Sequence, residues 1–290
     1  MITFTKDSWG QKMETGRFFP AGLYQGKTVF VTGGGSGINL GIAKGFAALG
    51  ASVAICGRTQ SKLDAAAKEL EELGARVSAR AADVRKPEEL AAALTTCRQT
   101  LGPIHVLICG AAGNFLVPAE RLSPNGFKTV IDIDLLGSFN AARLAFEQLA
   151  ETRGTIIFIS AGMAHMPYAY QLHVGAAKAG IDRMMQNLAL EWGRHGIRVN
   201  SIVPGPIAGT EGMKRLGGID HERRGDADVP LGRLGTVEDI AQAALFLCSP
   251  AADWITGVVL NVDGGAGLSG SANFNANAAR LLGEQADKSP

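Results

Sequence analysis

Thr32-Gly33-Gly34-Gly35-Ser36-Gly37-Ile38-Asn39 follows directly on an apolar, β-branched run and leads directly into an Ala/Leu-rich segment that reaches Leu49. The run at 27–32 predicts a strand, and the segment after Gly37 predicts a helix. Glycines between the two allow a tight turn and let backbone N–H groups approach an anion closely at the positive end of the helix. A glycine-rich turn in that setting is the local design of a pyrophosphate-binding site on a doubly wound α/β sheet.

The pattern continues outward from this turn. Apolar runs near 52–56, 75–80, 105–109, 155–160, 198–203 and 257–262 alternate with segments of helical period at 62–73, from Pro87 onward, within 123–150, at 174–192 and at 237–248. Near-continuous apolar strands alternating with helices predict a parallel sheet covered on both faces, a Rossmann arrangement. At 290 residues with 46% hydrophobic content, one large core is expected, hence a single domain. We divide the chain into an N-terminal extension at 1–25, a dinucleotide-binding domain at 26–265 with an irregular lid at about 206–235, and a C-terminal tail at 266–290.

The formal net charge of +1 gives no global field for nucleic acid or an anionic membrane, so the expected ligand is small and met by local groups. No stretch near Met1 has the apolar core of a signal peptide or of a membrane span. Cys56, Cys97, Cys109 and Cys248 lie far apart, as expected of reduced thiols. The five histidines show no metal-ligand spacing, so no metal site is expected.

Gly57-Arg58-Thr59 follows the second strand, where an NAD-binding protein usually presents a carboxylate to the adenosine ribose. A guanidinium there suits a 2′-phosphate, so NADP(H) is expected, although an arginine also stacks well on adenine.

These residues resemble the short-chain dehydrogenase/reductase family, whose turn reads T-G-x-x-x-G-x-G, over about 26–265. The resemblance implies that Gly33, Gly35, Ser36, Gly37, Ile38, Arg58, Asp83, Val84, Ala111, Gly113, Lys178, Pro204, Gly205 and Ile207 line the cofactor. Two departures stand out. Asn39 replaces the third glycine, which leaves its part in the pyrophosphate contacts open. Lys178 matches the lysine of the family's Y-x-x-x-K pair, but the tyrosine position is Val174, and valine cannot pass a proton to an alkoxide. Ordinary carbonyl reduction is thereby disfavoured.

Within the family, the text Ala111-Ala112-Gly113-Asn114-Phe115 is similar to that of the peroxisomal-type and bacterial 2,4-dienoyl-CoA reductases. So are Phe127-Lys128-Thr129-Val130 with Asp132-Ile133-Asp134, and Pro204-Gly205-Pro206-Ile207 with Gly209-Thr210-Glu211-Gly212. That resemblance implies hydride transfer from NADPH to the δ-carbon of a conjugated dienoyl thioester, then protonation at the α-carbon to a 3-enoyl-CoA. Negative charge gathers on the thioester oxygen, so an oxyanion stabiliser and a proton source are needed and a tyrosine is not.

Lys178 is the first candidate, as a cation near the nicotinamide ribose. Asp134 and Asp182 correspond to acids suspected in that branch. Asp182, four residues after Lys178, is equally read as its helix salt-bridge partner, and Asp134 as a structural acid binding backbone groups. A carboxyl that donates a proton near neutral pH needs its pKa raised by burial or by another carboxylate. Ser160, at a strand end, is read either as a hydrogen-bond donor to the thioester or as a strand cap. Tyr168, Tyr170 and His173 are further proton donors close in sequence.

For the acyl-CoA substrate we expect phosphate contacts from Arg58, Arg85, Lys214 and Arg215 and an acyl-chain contact from Phe115. Other expectations are a homotetramer, from the family, and a cytoplasmic enzyme, because Lys288-Ser289-Pro290 is not a peroxisomal tripeptide. Alternatives are a reductase of another enoyl thioester, an atypical carbonyl reductase, and a dinucleotide-sensing protein without turnover.

Overall fold

The computed structural model describes residues 18–215 and 229–283, with the side chains at 214, 215, 272, 273, 276 and 279 outside the description. Seven parallel strands form one sheet in the order β3-β2-β1-β4-β5-β6-β7. They are β1 (Thr28–Thr32), β2 (Ser52–Gly57), β3 (Val77–Ala81), β4 (Val106–Cys109), β5 (Thr155–Ile159), β6 (Arg198–Pro204) and β7 (Val259–Val262). Strand β1 is buried along its whole length, as is β5, because helices cover both faces of the sheet.

One layer of helices comprises α1 (Gly37–Ala48), α2 (Gln60–Glu71) and, late in the chain, α8 (Val237–Cys248). Its core holds Ile42, Phe46, Leu63, Leu70, Ile240 and Leu245 against Val29, Val31 and Ile55. Burying each such side chain contributes roughly 2 kcal/mol. Helix α1 lies so close to α8 that a Cβ on Gly41 would stand 2.7 Å from that of Val237. On the other face are α3 (Pro87–Leu101), α5 (Gly137–Thr152) and α6 (Leu172–Trp192), packed through Leu90, Leu94, Leu149, Ile181 and Met185. Pro87 opens α3 at its first turn, where the missing N–H is harmless.

The segment expected as one long helix within 123–150 is broken up. It runs as α4 (Pro124–Val130), a π-helical stretch (Ile131–Leu136) and α5. Such widened turns open a helix locally and recur at functional sites, and this one carries Asp134. Of the lid expected at 206–235, the short helix α7 (Glu211–Arg215) is described, and 216–228 lie outside the description. The extension at 1–17 and the last residues, 284–290, lie outside it as well. Residues 266–283 form a 3-10 turn (Ala266–Ser269) and α9 (Ala272–Leu281), which fold back onto the domain. All four cysteines are free thiols.

Candidate active site

Between β1 and β4 the strand order reverses, and in open parallel sheets ligands bind at the carboxyl ends of the strands beside that point. A cleft of about 590 Å³ opens there. Its first wall is the glycine turn. Gly33 and Gly37 have φ of +69° and +59°, values that side-chain-bearing residues rarely adopt, and the N–H groups of Gly33 and Gly34 bond Cys56 O. Ser36 caps α1 without a side-chain hydrogen bond, so no cap engages the first amides of that helix.

Asn39, which lines the cleft, ties the turn down. Its Nδ2 donates to Gly110 O at 2.8 Å and to Gly33 O at 3.3 Å, which ties the turn to the end of β4. Thr32 reinforces the joint by accepting from Gly110 N–H at 3.0 Å through Oγ1. The site therefore fits a dinucleotide pyrophosphate against the turn.

Arg58 lines the cleft beyond β2. Arg85 does not join it there. Its Nε contacts both carboxylate oxygens of Asp83 at 3.0 Å, and its Nη2 reaches Asp83 Oδ2 at 2.5 Å. That bidentate pair uses the guanidinium locally and, with the Arg85 hydrogen bond as the main cause, holds the Asp83 carboxyl below the usual range. Asp83 and Val84 themselves line the cleft. Across its mouth, Lys62 of α2 reaches Glu211 of α7 at 3.3 Å, a bridge with no local sequence signal.

Of the expected catalytic residues, Lys178, Asp134 and Ser160 line the cleft, from α6, the π-helical stretch and the end of β5, whereas Asp182 does not. Lys178 of α6 donates to Ile159 O at 2.9 Å and stands 3.3 Å from Asp134 Oδ2. Asp134, fully buried, accepts from Gly113 N–H at 2.7 Å through its other oxygen. Burial is the largest influence on this carboxyl and raises its pKa, with Lys178 and the Gly113 amide opposing. Asp182 does not pair with Lys178 in an i, i+4 salt bridge. Its Oδ2 accepts from Ser160 Oγ at 2.8 Å and lies 3.0 Å from His165 Nε2. Nothing in the sequence reading marked His165, which lies on the loop after β5.

Val174 lines the cleft where the family's tyrosine would stand and is packed against Val130 and Ala177. His173, next to it, is fully buried with its ring 4.3 Å from that of Phe115, and burial depresses its pKa. Phe115 is thus engaged with His173 and is absent from the cleft wall. Gly33, Gly35, Ser36, Gly37, Ile38, Ala111, Gly113, Ser160, Lys178, Pro204, Gly205 and Ile207 all line the cleft. The side chains of Lys214 and Arg215 lie outside the described residues, so their expected phosphate contacts have no placement here.

The tail contributes a wall that the sequence reading left outside the domain. Ser269, Gly270 and Phe274 line the cleft, Phe274 packs edge-on to Tyr168 at 4.9 Å, and Asn275 accepts from Ala169 N–H at 2.8 Å. The Tyr168 hydroxyl, also cleft-lining, has its pKa raised mainly by burial.

A family model described as enoyl-(acyl carrier protein) reductase matches residues 33–267. The chain belongs to the short-chain dehydrogenase/reductase family. It is 45% identical over 247 residues to the peroxisomal 2,4-dienoyl-CoA reductase [(3E)-enoyl-CoA-producing] of Saccharomyces cerevisiae, covering 84% of this chain and 85% of the relative. A probable 2,4-dienoyl-CoA reductase [(2E)-enoyl-CoA-producing] of Bacillus subtilis is 39% identical over 84% of this chain and 97% of its own length. Among solved structures, a 7α-hydroxysteroid dehydrogenase complexed with NADH and a 7-oxo bile acid superposes with a TM-score of 0.80. It is 31% identical, over 84% of this chain and 96% of the other. As a member of the family the chain carries an NAD(P)-binding Rossmann fold.

Proposed function

We propose that this reductase acts on a 2,4-dienoyl-CoA with NADPH, releasing a 3-enoyl-CoA. The observation that carries the reading is the combination at the floor: Val174 in the tyrosine position, Lys178 retained, and a buried carboxyl, Asp134, against the lysine. The relatives named 2,4-dienoyl-CoA reductases support it.

A reduced nicotinamide, when bound, supplies hydride to the dienoyl chain. The glycine turn and the uncapped start of α1 hold the pyrophosphate, and Arg58 meets the ribose 2′-phosphate. Lys178 holds positive charge at the floor, fixed by Ile159 O and Asp134, and steadies the negative charge that develops on the thioester oxygen. A group already in place for that charge costs no reorganisation during reaction. Ser160 is the hydroxyl on the cleft, with the Asp182 carboxyl behind it, and Asp134 is the carboxyl that holds the lysine. The short helix α7 stands at the cleft mouth and the tail forms the far wall.

Mixing the protein with NADPH and 2,4-hexadienoyl-CoA and following absorbance tests this reading, and product analysis separates 3-enoyl from 2-enoyl. Absence of oxidation with any unsaturated thioester would overturn it. One observation favours a second reading: Tyr168 places a hydroxyl in the cleft, as a carbonyl reductase drawing its proton from there would need. Turnover of ketones in place of the thioester would select it.

The exposed Leu136, Phe139, Leu172 and Leu190 on and beside α5 and α6 support the homotetramer, which sizing in solution tests. Among the described residues no helix is long and apolar enough to cross a membrane. A cytoplasmic location is our reading beside relatives whose names say peroxisomal, and cell fractionation decides between them.

A further inference from the structure

Three residues the chain does not place together, 160, 165 and 182, form a continuous line from solvent to the cleft. The His165 side chain is 47% exposed and its Nε2 is 3.0 Å from Asp182 Oδ2. Asp182 is 7% exposed by side chain, and the same oxygen accepts from Ser160 Oγ at 2.8 Å. Ser160 lines the cleft, whereas His165 does not. The local fold sets this up: a 3-10 turn (Gly162–Ala164) lies against α6, and His165 N–H closes it on Gly162 O. At Gly175 a Cβ would come within 3.1 Å of Met163 O, so the turn lies in close contact with the helix there.

We propose that His165, Asp182 and Ser160 are the path by which a solvent proton reaches the substrate carbon, with His165 as the solvent-facing positioning and loading residue. This rests on the reading that the enzyme reduces a conjugated thioester, a reaction that adds one hydride and one proton per turnover. Bulk water gives a proton to Nδ1 of His165. The Nε2–H bond breaks as a bond forms to Asp182 Oδ2, and that proton passes to Ser160 Oγ. The original Ser160 O–H bond breaks as a C–H bond forms at the carbon beside the thioester carbonyl, with the electron pair supplied by the hydride-reduced substrate. One proton has left water, one has reached carbon, and the three side chains return to their starting states once Ser160 and His165 reorient.

Asp134 lacks such a feed. It is fully buried, its charged partner Lys178 is itself 6% exposed, and its other oxygen is taken by the Gly113 amide. It serves the lysine's charge.

The test compares the full-length wild type with His165→Gln and His165→Ala, each assayed with NADPH and 2,4-hexadienoyl-CoA in H2O and D2O. In both variants kcat should fall about 100-fold, the low end of what a positioned proton donor supplies. KM for thioester and cofactor should hold, because His165 is outside the cleft wall, and the solvent isotope effect on kcat should rise. Added imidazole should restore His165→Ala. Unchanged kcat and isotope effect, or a loss of kcat that imidazole leaves unrepaired with the isotope effect unmoved, would overturn the path. The side-chain 15N signal of His165 should shift on Asp182→Asn, and an unmoved signal overturns the contact on which the path depends. A wild type that turns over no unsaturated thioester overturns the substrate reading and the path with it, whereas active wild type with indifferent variants overturns the path alone.

Discussion

Asp134 and Lys178 meet 3.3 Å apart beneath the cleft, the aspartate wholly buried and the lysine nearly so, although 44 positions separate them in the chain. Removing the aspartate leaves the lysine's charge stranded in a low-dielectric floor. Asp134→Asn should lower unfolding stability by about 3 kcal/mol, measured by chemical denaturation at pH 7. Lys178→Met should keep more stability, because burial already favours the protonated form of Asp134, while reducing kcat on the order of 10²-fold. An Asp134→Asn protein as stable as wild type would remove the ion pair from the account.

Asn39 should matter through the turn it ties down. Asn39→Gly removes two hydrogen bonds and should cost about 1–2 kcal/mol in stability and weaken NADPH binding. Gly110→Ala should be worse, because its Cβ would stand 2.0 Å from Asn39 Oδ1. The double variant should recover part of that loss, and a thermal-denaturation cycle over the four proteins reads the coupling.

Arg58 should set the cofactor preference. Arg58→Ala should raise the Kd for NADPH roughly 10- to 100-fold, the range of a lost charge-assisted contact, and leave NADH nearly unchanged. Isothermal titration with both dinucleotides checks it. An equal loss for the two would assign Arg58 to stacking on adenine instead.

The Asp83–Arg85 pair predicts a pH-dependent contribution. Its hydrogen bonds to Arg85 depress the folded-state pKa of Asp83 below the unfolded value of 3.8, so folding favours the ionised carboxylate. The resulting stability is present above pH 3.8 and fades as pH falls through the depressed folded value. Arg85→Ala should therefore cost roughly 0.5 kcal/mol at pH 7, small because Arg85 is over a third exposed, and nothing once Asp83 is protonated. Urea denaturation of both proteins at neutral and strongly acidic pH should show the two curves converge.

The strands and the α8 helix were legible because periodicity and β-branched composition are local properties. The run at 27–32 became β1 within one residue, and Val237–Cys248 matched throughout. The π-helical stretch at Asp134 was not legible, since its amides follow a widened pattern that only packing under the cleft selects. The partners of Arg85 and Phe115 were not legible for a related reason: Arg85 meets Asp83 and Phe115 meets His173, and neither lines the cleft. The tail carried no strand-helix rhythm to link it to the domain, and its place on the cleft follows from Phe274 against Tyr168 and Asn275 against Ala169 N–H.

By itself the sequence determined the doubly wound sheet, the dinucleotide turn from Thr32 to Asn39, and the absence of a tyrosine at Val174, because each is written in adjacent residues or a fixed spacing. Only the tertiary structure decided what the polar groups do. It turned Asn39 inward to Gly110, set Asp134 against Lys178, and gave Asp182 to Ser160 and His165. A buried polar atom must find a partner wherever the fold brings one within about 3 Å, and that choice leaves no trace in local sequence.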